Sequence, residues 1–322
     1  MSSAKNAGPS GPAFSYPEDP AARNQWVMRA RDGLVRERRS TRQPAGVLWE
    51  EEWQGISGMR PGMVVFLVNR ECPWRCVMCD LWRQALPESV TGDDILAQVD
   101  AALAMRGGRS VEWLKLYNAG SFFDPGAIPL SAHAGIALRC AGIGRLIVES
   151  HPALVGGRVE DFRRRLPSST QLEVAMGLET VHPEAHGKLN KRTSPSDFAR
   201  AASWLRQSGV GIRIFLMTRP PFIRQEEGRE WLLRSVDYAL ETGADPVVVI
   251  PARAGNGAME RLQQMGEWED APLEWVEEAL LHGRSRGMGR VLADTWGMSA
   301  IVAGKPDREA MLERIEQLNR CG

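Results

Sequence analysis

The chain has 322 residues, 43% of them hydrophobic and 25% charged, and its 40 basic and 40 acidic side chains cancel to a formal net charge of zero. That balance excludes a disordered or fibrous protein and leaves length for one large domain or two ordinary ones with a sizeable core. It provides no bulk attraction to nucleic acid or anionic membrane, so any polyanion contact has to be local.

Residues 1–22 read as a flexible tail, because Met1 to Pro20 is rich in Ser, Gly, Pro and Ala and lacks the apolar segment of a secretory signal. A cytoplasmic protein is the expectation. Residues 23–61 form an N-terminal extension. Within it Arg23 to Arg42 is mostly basic, with Trp26 and Val27 as apolar anchors, and is expected to be a solvated helical face. No apolar run approaches the roughly 20 residues needed to span a bilayer, so no membrane contact is expected.

From Met63 the pattern changes to short apolar runs separated by amphipathic stretches. Strands are expected at Met63 to Val68, Val111 to Leu116, Arg145 to Val148, Gln171 to Met176, Gly211 to Met217, Pro246 to Ile250 and Arg290 to Leu292. Helices are expected at Asp93 to Met105, Ser131 to Cys140, Val159 to Arg165, Pro183 to Asn190, Pro195 to Ser208, Glu226 to Thr242, Trp275 to Arg284 and Asp307 to Asn319. Thr91 or Gly92 before two aspartates, first-turn Pro183 and Pro195, and Gly209 and Gly243 past helix ends punctuate them. Val- and Ile-rich strands alternating with helices imply a parallel sheet covered by helices, as an open sheet or a full or partial α/β barrel. No Gly-x-Gly-x-x-Gly follows the first strand, which removes the dinucleotide argument for the open form.

The unusual residues all fall in loops after strands, where barrel active sites are built. The first loop carries Cys72, Cys76 and Cys79 in a C-x3-C-x2-C spacing. Three thiolates on one short loop suit a metal or an iron-sulfur cluster. Structural zinc normally takes four protein ligands, and no His or further Cys lies near this loop. A zinc-stabilised, non-catalytic binding protein is nonetheless an alternative of a different class. Cys140 reads as a small buried hydrophobe, and Cys321 as a terminal thiol.

The spacing resembles the hallmark loop of the radical SAM superfamily, and further motifs agree with it in order over residues 62–258. The resemblance implies an α/β fold, a partial (β/α)6 TIM-like barrel over 62–258. Residues 259–322 would then be a C-terminal extension of helices and one strand that closes the barrel's open side. It implies that Cys72, Cys76 and Cys79 ligate an oxygen-sensitive [4Fe-4S] cluster whose fourth iron chelates S-adenosylmethionine. An electron then cleaves that cofactor to methionine and a 5′-deoxyadenosyl radical, which takes a hydrogen from substrate.

The same resemblance gives expected roles to residues outside the loop. The Met78 backbone would contact adenine. Asn118-Ala119-Gly120-Ser121 would take the amino group of S-adenosylmethionine, its small residues letting backbone carbonyls approach a cation. Glu149, in Glu149-Ser150-His151-Pro152, and Glu179, with Lys191 or Arg192 twelve or thirteen residues on, match cofactor-binding segments of the Elongator and coproporphyrinogen dehydrogenase branch. There Lys191 or Arg192 would neutralise the ligand carboxylate. Arg213 joins this cofactor-binding set, and with Arg219 could meet an anionic substrate group. Residues 114–125 and 174–180 look like the radical SAM component of archaeosine synthase and its bacterial relatives.

Several other features invite a functional reading. His151, directly after a strand, is a candidate acid or base. His182 and His186 lie four apart but lack an H-E-x-x-H arrangement and read as helix surface. Trp74, Trp82 and Trp296, near strand ends, could shield a radical or stack on a substrate. The Gly255-Asn256-Gly257 turn could bring backbone near adenosine or substrate. The expected partners are a one-electron donor, flavodoxin or ferredoxin, and a small-molecule substrate in preference to tRNA, with a tRNA- or nucleoside-modifying enzyme as the alternative.

Overall fold

The computed structural model describes residues 15–321. Eight strands form one sheet in chain order: β1 (Gly46–Trp53), β2 (Met59–Leu67), β3 (Trp113–Asn118), β4 (Arg145–Glu149), β5 (Gln171–Glu179), β6 (Gly211–Met217), β7 (Val247–Ile250) and β8 (Val291–Ala293). β1 pairs antiparallel with β2, and every later pair is parallel. The sheet curls into a partial barrel of the radical SAM type.

The helices are α1 (Pro20–Ala30), α2 (Gly92–Ala104), α3 (Leu130–Arg139), α4 (Gly157–Arg163), α5 (Pro183–Lys188), α6 (Pro195–Gln207), α7 (Gln225–Glu241), α8 (Ala258–Gln264), α9 (Glu274–Arg286), α10 (Met298–Val302) and α11 (Pro306–Asn319). Among the described residues no helix is long and apolar enough to cross a membrane. Capping boxes start two of the helices, Thr91 with Asp94 at α2 and Ser194 with Asp197 at α6.

Alternation along each strand sorts the two faces. Met63, Val65, Leu67, Leu114, Leu116, Val174, Met176, Ile214 and Leu216 are buried in the main core. Val64, Phe66, Trp113, Tyr117, Ile147, Ala175 and Phe215 form a separate cluster on the inner face. The close pairing of β2 with β3 needs Gly62: a Cβ there would lie 1.9 Å from the Trp113 ring.

Two expectations change. The run Gly46–Trp53 is a strand that the apolar pattern did not reveal, because its sequence carries Glu50, Glu51 and Glu52. Buried Glu52 is compensated by cations from facing strands: Arg213 donates to it at 2.6 and 3.0 Å, and Lys115 stands 2.9 Å away. The basic segment after the tail is also not a simple solvated face. Arg23 is buried and donates to the Pro17, Glu18 and Gly187 carbonyls, and Arg31 is buried against Glu71 at 2.7 Å.

The far edge of the sheet is finished by a side chain. Asn319 at the end of α11 accepts from Ala293 N and donates to Ala293 O, both at 2.8 Å, so its amide stands in for a neighbouring strand.

Candidate functional site

The three cysteines leave the C-terminal end of β2 on a loop fastened on every side. Asn69 is fully buried; its Oδ1 accepts from Ala119 N at 3.2 Å and its Nδ2 donates to Ala119 O at 3.3 Å, tying the loop to the end of β3. Glu71 binds Arg31, Arg36 and Arg75 at 2.7, 2.6 and 3.2 Å. The Val77 amide donates to Leu189 O at 3.1 Å. Asn256 Nδ2 donates to Val77 O at 2.7 Å and Cys79 O at 3.3 Å, while its Oδ1 accepts from Met259 N. Asn190 Nδ2 donates to Arg75 O at 2.7 Å.

Cys72, Cys76 and Cys79 are unoxidised and partly exposed. Burial pushes each thiol up to about 12; Cys79 raises Cys72, Cys72 raises Cys76 and Cys76 raises Cys79, so the three sulfurs sense one another. A bound metal centre reverses that logic, because its positive charge deprotonates a coordinating thiol. Among the described residues no three His, Cys, Asp or Glu side chains close on one point as a single ion requires.

Beside this loop the ends of β3, β4 and β5 bring the strand-end motifs together. Gly120 has φ of +140°, a conformation that favours glycine, and lies against the cysteine loop: a Cβ on it would touch the Cys72 Cβ at 3.4 Å. Asn118 is 4% exposed, yet neither Oδ1 nor Nδ2 of its side chain finds a partner. A buried amide left unpaired costs roughly 1–3 kcal/mol, so it marks a place where a bound polar group is missing. Ala119 is held through Asn69. The Ser121 hydroxyl accepts from His151 N at 2.6 Å and is committed to the turn.

Glu179 and Lys191 form a mostly buried ion pair, with Glu179 at a positive φ of 66°. Gly177 makes room for it: a Cβ there would meet Glu179 Oε1 at 2.1 Å and Lys191 Nζ at 2.2 Å. Burial opposes the Lys191 charge, but Glu179 and the Cys76 sulfur outweigh it and raise its pKa. Burial also pushes the Glu149 carboxyl up to about 7, against the Asn118 N–H, which donates to it at 3.4 Å, and the Lys191 charge.

Three expected site residues take other positions. Arg213 is 2% exposed and its guanidinium is fully engaged by Glu52 and by Glu173 at 2.6 Å, so it holds the barrel interior together and is not free for a ligand anion. His151 Nε2 meets Lys191 O at 2.9 Å and Nδ1 accepts from Ala153 N at 3.2 Å; its ring stacks on Trp74 at 4.0 Å, and burial holds it down at about 4. With both nitrogens bound to backbone, it positions the turn and has no nitrogen left to act as acid or base. Arg192 is exposed, so of the two neighbouring cations Lys191 is the one inside the site. Met78 packs beside the small core formed by Trp26, Val77, Leu189 and Met259.

Sequence reasoning missed Asn69, Asn190 and Asn256 as loop clamps; only the glycines flanking Asn256 hinted at a special turn. His182 caps α5 through Nδ1 to Ala185 N at 3.2 Å, and His186 is buried, so the pair makes no surface metal face.

The curled sheet borders an open cavity of about 1060 Å³ lined from β1 to β8, with Phe66, Tyr117, Glu149, Phe215, Asp294 and Trp296 in its wall; the three cysteines and Asn118 are not part of that wall. Trp296 stacks on Phe66 at 5.2 Å. Among the described residues the donor set is three thiols; together with the unpaired Asn118 amide and the Gly120 approach to Cys72, its chemistry fits a cluster with one open iron and a polar cofactor beside it.

No family model matches the chain. It is 23% identical over 275 residues to archaeosine synthase subunit beta of Methanosarcina acetivorans, a match covering 81% of this chain and 78% of that one. The corresponding subunit of Thermococcus kodakarensis is 24% identical over 263 residues, covering 77% and 80%. An uncharacterized protein of Methanocaldococcus jannaschii is 23% identical over 193 residues, 57% of this chain, which there spans only about half, 52%, of the relative's length. Among solved structures, Streptococcus suis SuiB bound to the precursor peptide SuiA superposes with a TM-score of 0.52 at 11% identity, over 73% of this chain and 49% of that one. Methanocaldococcus infernus Elp3 gives 0.50 at 15%, over 72% and 56%. The chain thus resembles radical SAM proteins in fold and is distantly homologous to archaeosine synthase subunit beta.

Proposed function

We propose that the protein is a radical SAM enzyme in which Cys72, Cys76 and Cys79 hold a [4Fe-4S] cluster at the mouth of the barrel. The observation that carries this reading is the unpaired, buried Asn118 amide at the end of β3, beside a loop of three thiols that Gly120 lets come close. With S-adenosylmethionine, such a cluster supplies reductive cleavage to a 5′-deoxyadenosyl radical.

The chain's own residues bind, orient and exclude water. Asn118 would satisfy its amide on polar atoms of the cofactor's amino-acid end, with the Ala119 and Gly120 carbonyls turned to the cationic amine. Lys191, kept charged by Glu179, would face the carboxylate. As a point charge it attracts without the paired geometry of Arg. Glu149, poised near neutrality, can accept from the amine when ionised. Phe66 and Trp296 would screen the lumen from water.

For the substrate we favour a small molecule held in the lumen, whose volume is of the order usual for ligand pockets, about 300–1,000 Å³. The likeness to archaeosine synthase subunit beta in two archaea favours a second reading, a modified nucleoside, free or within tRNA. A one-electron donor is required in either case.

The test is anaerobic reconstitution followed by S-adenosylmethionine and dithionite. We expect 5′-deoxyadenosine from the wild type and none from Cys72→Ala, Cys76→Ala or Cys79→Ala. Colourless protein carrying one zinc, with no 5′-deoxyadenosine, would replace the reading with a zinc-stabilised binding protein.

A further inference from the structure

The wall of the open cavity carries a row of aromatic rings. Trp296 stacks on Phe66 at 5.2 Å, Phe66 meets Tyr117 at 6.4 Å, and Tyr117 meets Phe215 at 6.1 Å. The rings therefore run without a break from the loop after β8 across β2 and β3 to β6. Strand alternation turns Phe66, Tyr117 and Phe215 to the inner face together. Such rings offer flat contact area, and their negative faces attract a cation. The Tyr117 hydroxyl forms no hydrogen bond among the described residues and is free to orient a ligand.

Carboxylates outnumber cations in the same wall, six to four. The two interior cations are already matched: Lys115 stands 3.0 and 2.9 Å from Glu50 and Glu52, and Arg213 is held by Glu52 and Glu173. The other two, Arg109 and Arg320, are exposed, as are Glu51 and Glu316. That leaves Glu149 and Asp294, neither of which forms an ion pair among the described residues. Asp294 Oδ1 accepts from Trp296 N at 2.9 Å, which sets the carboxylate beside the Phe66–Trp296 stack, and its Oδ2 takes no hydrogen bond among the described residues. Burial raises the Asp294 carboxyl above its ordinary range, outweighing the charges of Arg253 and Lys115. A carboxylate so placed gains from an incoming cation.

We propose that this cavity binds a substrate that joins a flat ring to a positively charged amine, with the amine at Asp294 and the ring along the aromatic row. The inference rests on the radical SAM reading and adds the chemical class of the substrate. S-adenosylmethionine is itself a cation, but its amino-acid end is assigned to Asn118 and Gly120, neither of which lines the cavity. Asp294 is thus left for a second molecule. A ligand carrying a phosphate or carboxylate would meet Glu149 and Asp294 where each interior cation of the wall is already paired, so the cavity discriminates against anions.

The experiment measures binding, so it does not depend on turnover. Titration calorimetry of the anaerobically reconstituted full chain compares three indoles of nearly equal shape: cationic tryptamine, neutral indole-3-acetamide and anionic indole-3-acetate. We expect tryptamine to bind about tenfold or more tightly than the amide, with the acetate weakest. Asp294→Asn should erase that preference while still binding the amide, and Asp294→Glu should keep it. Glu316→Gln, which removes an exposed carboxylate of the same wall, should change nothing. Equal affinities for the three indoles, no binding of any, or a preference for tryptamine that survives Asp294→Asn overturns the proposal. The wild-type ranking decides by itself should Asp294→Asn fail to fold. Displacement of tryptamine by S-adenosylmethionine also overturns it, because the probe would then occupy the cofactor's own site. Formation of 5′-deoxyadenosine judges the radical SAM reading separately. A chain that forms it but does not prefer tryptamine loses only the substrate class, whereas one that forms none yet prefers tryptamine through Asp294 keeps the amine site and loses the reaction.

Discussion

Asn118 is where the proposed binding role can be told apart from a folding role. Its buried amide has no protein partner, so Asn118→Leu removes an unsatisfied group and is expected to raise the stability of the ligand-free chain by about 1 kcal/mol or more. The same change should weaken S-adenosylmethionine binding at least tenfold; denaturant melts and equilibrium dialysis measure the two effects separately. If the variant lost stability, the amide would have a structural partner that the geometry does not contain. Glu149 gives a pH signature of the same kind. Its folded pKa of about 7 lies above the ordinary carboxylate value, so between those two pH values the folded chain binds more protons than the unfolded one and stability falls as pH rises. Glu149→Gln should therefore leave the melting temperature nearly unchanged at pH 4.5 and raise it at pH 8. The opposite order would mean that the carboxylate is held ionised.

Among the elements, β1 shows best what the sequence conceals. The seven parallel strands were legible because their outer faces are apolar and their helices are punctuated by caps. β1 was not, because its inward position 52 is a glutamate whose partners, Arg213 and Lys115, lie far away in sequence. A carboxylate is an apolar-face residue only when distant cations converge on it, and no local pattern records that convergence. Arg213 is illegible for the same reason: its place on a strand can be read locally, but the glutamate of β1 that takes its charge cannot. The cysteine loop, by contrast, was legible because its donors are contiguous, whereas its clamps Asn69, Asn190 and Asn256 became visible only once strand ends were adjacent. Arg213→Met would leave Glu52 with Lys115 and Glu173 with Arg145 as their remaining cations, and removing one partner from a buried ion-pair cluster of this kind costs up to about 3–5 kcal/mol. Urea unfolding should show that loss, and Arg213→Lys should recover only part of it because it cannot reach both carboxylates with a fork. An unchanged midpoint in Arg213→Met would refute the interior ion-pair account.

Over the whole molecule, the sheet places a thiol loop and an unsatisfied amide at its strand C-terminal ends, and the N-terminal extension braces that loop from outside through Glu71. The chain's similarity to archaeosine synthase subunit beta spans this architecture, so it bears on the whole arrangement more than on any single residue. The most direct measurement is electron paramagnetic resonance of the anaerobically reconstituted, dithionite-reduced protein before and after S-adenosylmethionine is added. The account predicts a reduced [4Fe-4S] signal that changes shape when S-adenosylmethionine binds the open iron, and its disappearance in Cys76→Ala. A signal indifferent to S-adenosylmethionine, or no cluster signal at all, would contradict it.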